Sequence, residues 1–311
     1  MSLAFVFPGQ GSQSVGMLAE LADAETVVEE TFAEASRVLG YDLWKLTQEG
    51  PEHALNATER TQPAMLAAGV AAWRVWEGAR GAQPAAMAGH SLGEYTALVC
   101  AGALPFESAV RTVEHRARLM QAAVPEGEGA MAAILGLEEE ALRDICTEAA
   151  GEEVVEAVNF NAPGQIVIAG HTAAVERAME LAVSRGAKRA LPLPVSVPSH
   201  CSLMRDAAAR LAAHLADVPI GTPAIPVLHN VDAAEHPAPN DIRAALSAQL
   251  YRPVLWVDIV RALGSRGTRR IIECGPGKVL QGLTRRIDRS LNASSIHDLE
   301  TLAANLDGAD A

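Results

Sequence analysis

The decapeptide "GHSLGEYTAL" at residues 89–98 restricts the fold of this chain more than any other segment. It sets Ser91 between Gly89 and Gly93 in the spacing G-x-S-x-G, the pattern of a nucleophile elbow. A serine in so sharp a turn has strained backbone angles, and bulky neighbours would clash; glycine on both flanks removes the clash. The pattern carries weight only between a strand and a helix. "AAMAG" (85–89) reads as a short buried strand, and after Leu92 the residues Tyr95, Leu98, Val99 and Gly102 fall at helical spacing. A glycine-bounded turn with a capping serine fits the same letters. The choice depends on whether a base and an oxyanion hole exist elsewhere in the chain.

The surrounding texture is strand–helix alternation. "LAFVF" (3–7) reads as a buried strand that runs into "PGQGSQ" (8–13), and helical patterns cover 24–40, 63–81 and 106–124. Such alternation predicts the α/β class. Aromatics make up only 4% of the 311 residues, and alanine is abundant, which suits helices packed closely on a sheet. After "PEGEG" (125–129) the order becomes strand (130–137), helix (138–150), two strands joined around "NAPG" (161–164), helix (172–186) and strand (187–195). That is the βαββαβ order of a ferredoxin-like unit. The expected architecture is therefore a large α/β-hydrolase-like domain with a parallel sheet, made from 1–125 and 197–311, plus an inserted small ferredoxin-like domain at 126–196. "RRIIECGPG" (269–277) is a late strand ending in a Gly/Pro loop, and the last residues, 306–311, are expected to fray.

Charge narrows the partners. A formal net charge of −13 argues against a general nucleic-acid binder and against a polybasic membrane anchor. "GAKRA" (186–190) and "TRRIDR" (284–289) are local basic stretches, each by itself an ordinary solvated face. The four cysteines, Cys100, Cys146, Cys201 and Cys274, form no C-x-x-C pair and sit in apolar surroundings, as buried free thiols do in a reducing compartment. The N-terminus lacks the basic segment and the apolar length of a signal peptide, and no stretch approaches the ~18 apolar residues of a membrane span. A soluble cytoplasmic protein is expected.

A serine hydroxyl needs a base within hydrogen-bond reach to act as a nucleophile. Of nine histidines, His200 in "PVSVPSHCSLM" stands out, because it follows a strand and two prolines and precedes a helical run. That reads as a rigid strand-end position on the rim where α/β sites form. His90 adjoins the serine, but its side chain should leave the elbow in another direction and line the pocket. Cys201, beside His200, is an alternative nucleophile with the poorer turn. An oxyanion hole needs two donors: one is the Leu92 N–H, and the glycine-rich loop "PGQGSQ" offers Gln10 as the second. Such a donor is worth about 3–4 kcal/mol of barrier. The loop also fits a phosphate-binding or plain flexible turn, although it lacks the Walker ending and the third glycine of a dinucleotide fingerprint. No Asp or Glu between Ser91 and His200 sits at an obvious strand end outside the small domain, which weakens an esterase reading.

Seven blocks together, "FPGQGSQSVGM", "GHSLGEYTALVCAG", "VEHRARLMQ", "NFNAPGQIVIAG", "PLPVSVPSH", "QLYRPVLW" and "ECGPGKVL", resemble the bacterial malonyl-CoA:acyl carrier protein transacylase family, in order and spacing, from about residue 3 to 290. They are also similar to the acyltransferase domains of polyketide and fatty-acid synthases. The resemblance implies that Ser91 takes the malonyl group from coenzyme A as an ester and that His200 is its base, oriented by the backbone carbonyl at Gln249. It implies Gln10 and Leu92 as the oxyanion hole and Arg116 as the grip on the free carboxylate. Arg111 and Arg118 are nearby alternatives that read as solvated, and only the resemblance favours Arg116 over them. An arginine suits that role, since its planar fork pairs bidentately with a carboxylate and stays charged. The implied partners are malonyl-CoA as donor and acyl carrier protein as acceptor, with no metal and no redox cofactor. Lys188 with Arg189, or Lys278 with Arg285 and Arg286, are candidate docking charges for an acidic carrier. An esterase or thioesterase, and a non-catalytic partner in a synthase complex, are the competing readings.

Overall fold

The computed structural model describes residues 2–195 and 197–307, with Asp307 described in its backbone alone. Strand β1 (Ser2–Phe7) is followed by helices α1 (Ala19–Ala24), α2 (Val27–Leu39), α3 (Leu43–Glu49), α4 (Glu52–Leu55) and α5 (Thr58–Gly78). Strand β2 (Ala86–Gly89) leads into α6 (Gly93–Cys100) and α7 (Phe106–Gln121). The middle of the chain is β3 (Gly129–Leu135), α8 (Glu139–Ala150), β4 (Val155–Ala162), β5 (Gln165–His171), α9 (Thr172–Ser184) and β6 (Arg189–Pro192). The rest is α10 (Arg205–Ala216), β7 (Val227–Leu228), α11 (Pro239–Gln249), α12 (Trp256–Ser265), β8 (Thr268–Cys274), α13 (Val279–Ile287), β9 (Asn292–Ile296) and α14 (Leu299–Asp307).

Two sheets result. One is parallel, with strand order β7-β2-β1-β8-β9; the other is antiparallel, with order β4-β5-β3-β6. This is the α/β architecture the alternation predicts. In the central strand β1, side-chain alternation sorts two cores. Leu3, Phe5 and Phe7 pack with α5, the Phe5 ring lying 5.2 Å from Trp73 and 5.3 Å from Trp76. Ala4 and Val6 face the other way, onto Trp256, Ile259 and Leu263 of α12. A parallel sheet covered on both faces needs continuous apolar runs, which is why "LAFVF" reads as it does. Each fully buried side chain of this kind contributes roughly 1.5–3 kcal/mol.

The antiparallel sheet packs one face against α8 and α9, with Ile134, Ile145, Ile168 and Val175 in the contact. Its opposite face carries Met131, Val158 and Val167, which meet Cys201. Backbone bonds stitch it to the rest of the chain: Val254 N–H donates to the Val158 carbonyl at 2.8 Å, and Phe160 N–H to the Val254 carbonyl at 3.0 Å.

Three local expectations change. The helix expected from Pro63 opens at Thr58, so Pro63 lies inside it and Gln62 becomes a helical residue. A proline reads as a first helical position, and that preference hides the turn before it. The strand before His200 is shorter than expected: it ends at Pro192, in the antiparallel sheet. His200 is therefore not at a strand end but in a turn with φ +69°. Of the terminal stretch expected to fray, Leu306 and Asp307 close α14, and 308–311 lie outside the described residues.

Candidate active site

The elbow forms because backbone crowds backbone there. A Cβ on Gly89 would lie 1.8 Å from the Gly93 carbonyl carbon, and one on Gly93 would lie 2.1 Å from the Phe7 carbonyl oxygen. Ser91, at the apex between β2 and α6, has φ +51°, the left-handed region. The loop after β1 presses against the same corner, since a Cβ on Gly9 would come within 2.6 Å of the His90 carbonyl oxygen. Gln10 and Leu92 thus line one cavity with Ser91. Among the described residues, neither the Gln10 N–H nor the Leu92 N–H has an acceptor.

Ser91 Oγ lies 2.8 Å from His200 Nε2. On the other side of the ring, Nδ1 lies 2.7 Å from the Gln249 carbonyl oxygen. A carbonyl only accepts, so Nδ1 carries the proton and Nε2 presents its lone pair to the serine. The backbone of His200 is tied as well, its N–H donating to the Leu250 carbonyl at 2.9 Å. Burial, with the Arg116 charge as a second cause, pushes the imidazole down to about 3. The ring is a neutral base across the whole neutral range.

Arg116, on α7, is fully buried and has no carboxylate partner. Its guanidinium donates to two neutral amides: Nη1 to Gln62 Oε1 at 2.8 Å and Nη2 to Gln249 Oε1 at 3.0 Å. Nη2 also reaches Ser91 Oγ at 3.4 Å, and the Tyr95 ring lies 5.6 Å from the guanidinium carbon. Burial lowers the pKa of this arginine, and Tyr95 and the buried Glu94 carboxylate oppose that shift without cancelling it. The Gln249 amide cannot be the other way round, because its Nε2 donates to the Ser91 carbonyl at 2.9 Å and to Glu94 Oε2 at 3.0 Å. Arg111 and Arg118 are elsewhere: both are exposed and paired along the helix, with Glu107 at 3.5 Å and Glu114 at 2.8 Å.

His90 leaves the elbow sideways and lines the cavity, its Nε2 lying 2.8 Å from Asn161 Oδ1. Cys201 is buried, donates to the Pro198 carbonyl, and has its thiol pushed up to about 12 by burial, so it offers no thiolate. The cavity, of about 180 Å³, is walled on its apolar side by Met120, Met131, Val167, Leu193, Val195 and Val197. Gln62, Asn159 and Asn161 also line it, and sequence reasoning missed all three. For the asparagines a signal was present: the i, i+2 spacing in "NFNAPG" puts both on one side of a strand. Gln62 carried none.

The pattern of the acyl transferase domain family matches residues 4–307. The chain is 57% identical to the malonyl CoA-acyl carrier protein transacylase of Escherichia coli (strain K12), over 98% of each chain. It is 44% identical to the protein of that name from Bacillus subtilis (strain 168), over 96% of this chain and 95% of the other. A solved acyl carrier protein S-malonyltransferase from Vibrio cholerae superposes with a TM-score of 0.96 at 57% identity, covering 98% of this chain and 99% of that one. A malonyl-transacylase solved in complex with a type II polyketide-synthase acyl-carrier protein superposes with a TM-score of 0.98 at 55% identity, covering 99% and 100%.

Proposed function

The chain belongs to the acyl transferase domain family, and from that premise we propose a double-displacement route for its reaction. The chain is an acyltransferase that carries malonyl groups from malonyl-CoA to acyl carrier protein for fatty-acid synthesis. In the proposed route Ser91 Oγ attacks the thioester carbonyl carbon while His200 Nε2 takes the hydroxyl proton. The oxyanion is met by the Gln10 and Leu92 N–H groups. The C–S bond then breaks, and the sulfur of coenzyme A leaves with the proton from His200. In the second half the phosphopantetheine thiol of the carrier gives its proton to His200 and attacks the malonyl ester. Ser91 recovers a proton, and malonyl thioester departs. Gln249 holds the tautomer of His200 through its carbonyl, and His90 lines the acyl pocket.

One observation carries the choice of acyl group: a buried arginine 3.4 Å from the serine oxygen whose hydrogen-bond partners are all neutral, with the Glu94 carboxylate acting on it only from beyond Gln249. A terminal carboxylate on the acyl chain supplies the missing partner. The experiment is mass spectrometry of the protein after brief exposure to malonyl-CoA. One malonyl group is expected, mapped to Ser91, stable without carrier protein and transferred when the holo-carrier is added. An adduct elsewhere, or malonate released to water as fast as it is delivered to the carrier, overturns the route.

We read residues 126–196 as an inserted ferredoxin-like domain and 1–125 with 197–311 as an α/β-hydrolase-like core. The first reading rests on the βαββαβ order and on the strand order β4-β5-β3-β6, and the second on an elbow at the end of a parallel strand. A cytoplasmic setting fits four free cysteines. Among the described residues no helix is long and apolar enough to cross a membrane.

Carrier docking has a candidate place. Lys188 and Arg286, from the two basic stretches, line one cleft with Gln165 and Gly164, and Arg286 donates to Gln165 Oε1. Arg285 is engaged with the Ala293 carbonyl at 2.8 Å. Reversing both charges, Lys188→Glu with Arg286→Glu, is expected to raise KM for carrier protein several-fold and to flatten its salt dependence, while Ser91 acylation is spared. Identical carrier KM values for variant and wild type across a salt series remove this cleft from consideration.

A further inference from the structure

Resting on Ser91 as the nucleophile, we infer that Asn230 is a positioning residue that clamps the elbow and sets the rate of serine acylation. A strand that turns at once into a helix orphans backbone groups at the corner. Here these include the Gly89 carbonyl and the Ser91 N–H. The Asn230 side chain, 139 residues away from Ser91, closes both: Oδ1 accepts from the Ser91 N–H at 2.7 Å, and Nδ2 donates to the Gly89 carbonyl at 2.6 Å. The two bonds bracket His90 and fix the peptide planes that give Ser91 its φ of +51°.

The clamp is itself anchored. Asn230 is fully buried just beyond β7, its N–H donates to Glu94 Oε2 at 2.8 Å, and its carbonyl accepts from Leu255 N–H at 3.0 Å. Glu94 is also held by His229 Nδ1 at 2.8 Å and by Gln249 Nε2 at 3.0 Å. One buried carboxylate therefore anchors both the residue that clamps Ser91 and the residue that orients His200 and Arg116. A primary amide of this length offers one donor and one acceptor side by side without any change of protonation. Leucine, of nearly the same shape, and alanine each leave both groups unpaired. With the Ser91 N–H turned inward, the next one, at Leu92, is the first left free to face a ligand.

The test uses full-length Asn230→Ala and the near-isosteric Asn230→Leu, which keeps the core volume should alanine fail to fold. Serine acylation by malonyl-CoA and by acetyl-CoA is followed on the millisecond scale, and the rate is read per serine that can be acylated, so unfolded molecules drop out. The expected result is a 10- to 100-fold slower acylation for both donors, the scale for a small misplacement of reacting atoms. The malonyl-to-acetyl preference stays that of the wild type, and KM changes little beside kcat. A normal rate on a reduced number of reactive serines overturns the proposal, because Asn230 would then serve only the stability of the fold. A changed acyl preference also overturns it, since the effect would run through Arg116. A wild type that carries no acyl group on Ser91 instead overturns the choice of nucleophile, which keeps the two failures apart.

Discussion

Arg116→Ala is expected to lower kcat/KM for malonyl-CoA by two or more orders of magnitude, about 3 kcal/mol, the cost typical of removing one partner of a buried charge pair. The acyl carboxylate would lie in a buried pocket without its cation, and an unpaired buried charge costs several kcal/mol. The structure makes the effect selective. Gln62 and Gln249 offer only neutral oxygens and Glu94 does not touch the guanidinium, so no carboxylate is hydrogen-bonded to it before the substrate arrives. An acetyl group leaves that cation unsatisfied, so the wild type is expected to disfavour it, and the alanine variant should lose little acetyl transfer or gain some. Arg116→Lys should not restore the wild type, since an ammonium is a point charge that cannot reach both amides and a carboxylate in one plane. The measurement is kcat/KM for malonyl-CoA and acetyl-CoA on the three proteins. Equal losses on both donors would mean that Arg116 supports the structure and reads no carboxylate. Arg111 and Arg118 could not take over, because both are exposed and already paired.

His200→Ala should slow both half-reactions by ~10²–10⁴, the usual contribution of a positioned general base. Rapid-mix acylation of Ser91, with the transfer step followed separately, checks it; a variant with near-normal rates would move the base to another residue, with His90 the first to examine. The pH dependence sharpens the expectation. A folded-state value pushed down to about 3 keeps the imidazole unprotonated, and so active, far below the ordinary value of about 6.5. The acid limb of wild-type acylation should therefore fall well below pH 6. Stability has the matching sign. Below about 6.5 the unfolded chain protonates this histidine while the native state does not, so that part of the stability is present above 6.5 and lost as pH falls.

Much of this site was legible in the sequence because its chemistry is local. The elbow announces itself through two glycines whose missing Cβ atoms leave room for the Gly93 and Phe7 backbones. The βαββαβ order and the buried runs of β1 and β8 likewise follow from period and composition. His200 was identified although the strand thought to carry it ends eight residues earlier, at Pro192. What marks the position is the rigid, proline-bounded turn.

Other parts left no local trace. Gln62 and Gln249 look like any polar residue on an amphipathic helix, and the carbonyl that orients His200 belongs to a group every residue has. Asn230 is one asparagine in a loop until 139 residues of chain bring it under Ser91. By itself the sequence determined the glycine-flanked serine turn, the strand–helix order and the residue types able to meet a carboxylate, because those depend on side-chain chemistry and short-range backbone geometry. The tertiary structure decided that Arg116 is buried with no carboxylate hydrogen-bonded to it, which amides hold it, and that the Gln249 carbonyl stands 2.7 Å from His200 Nδ1. Burial and long-range hydrogen bonding depend on what packs against a residue, and one-dimensional spacing does not encode that.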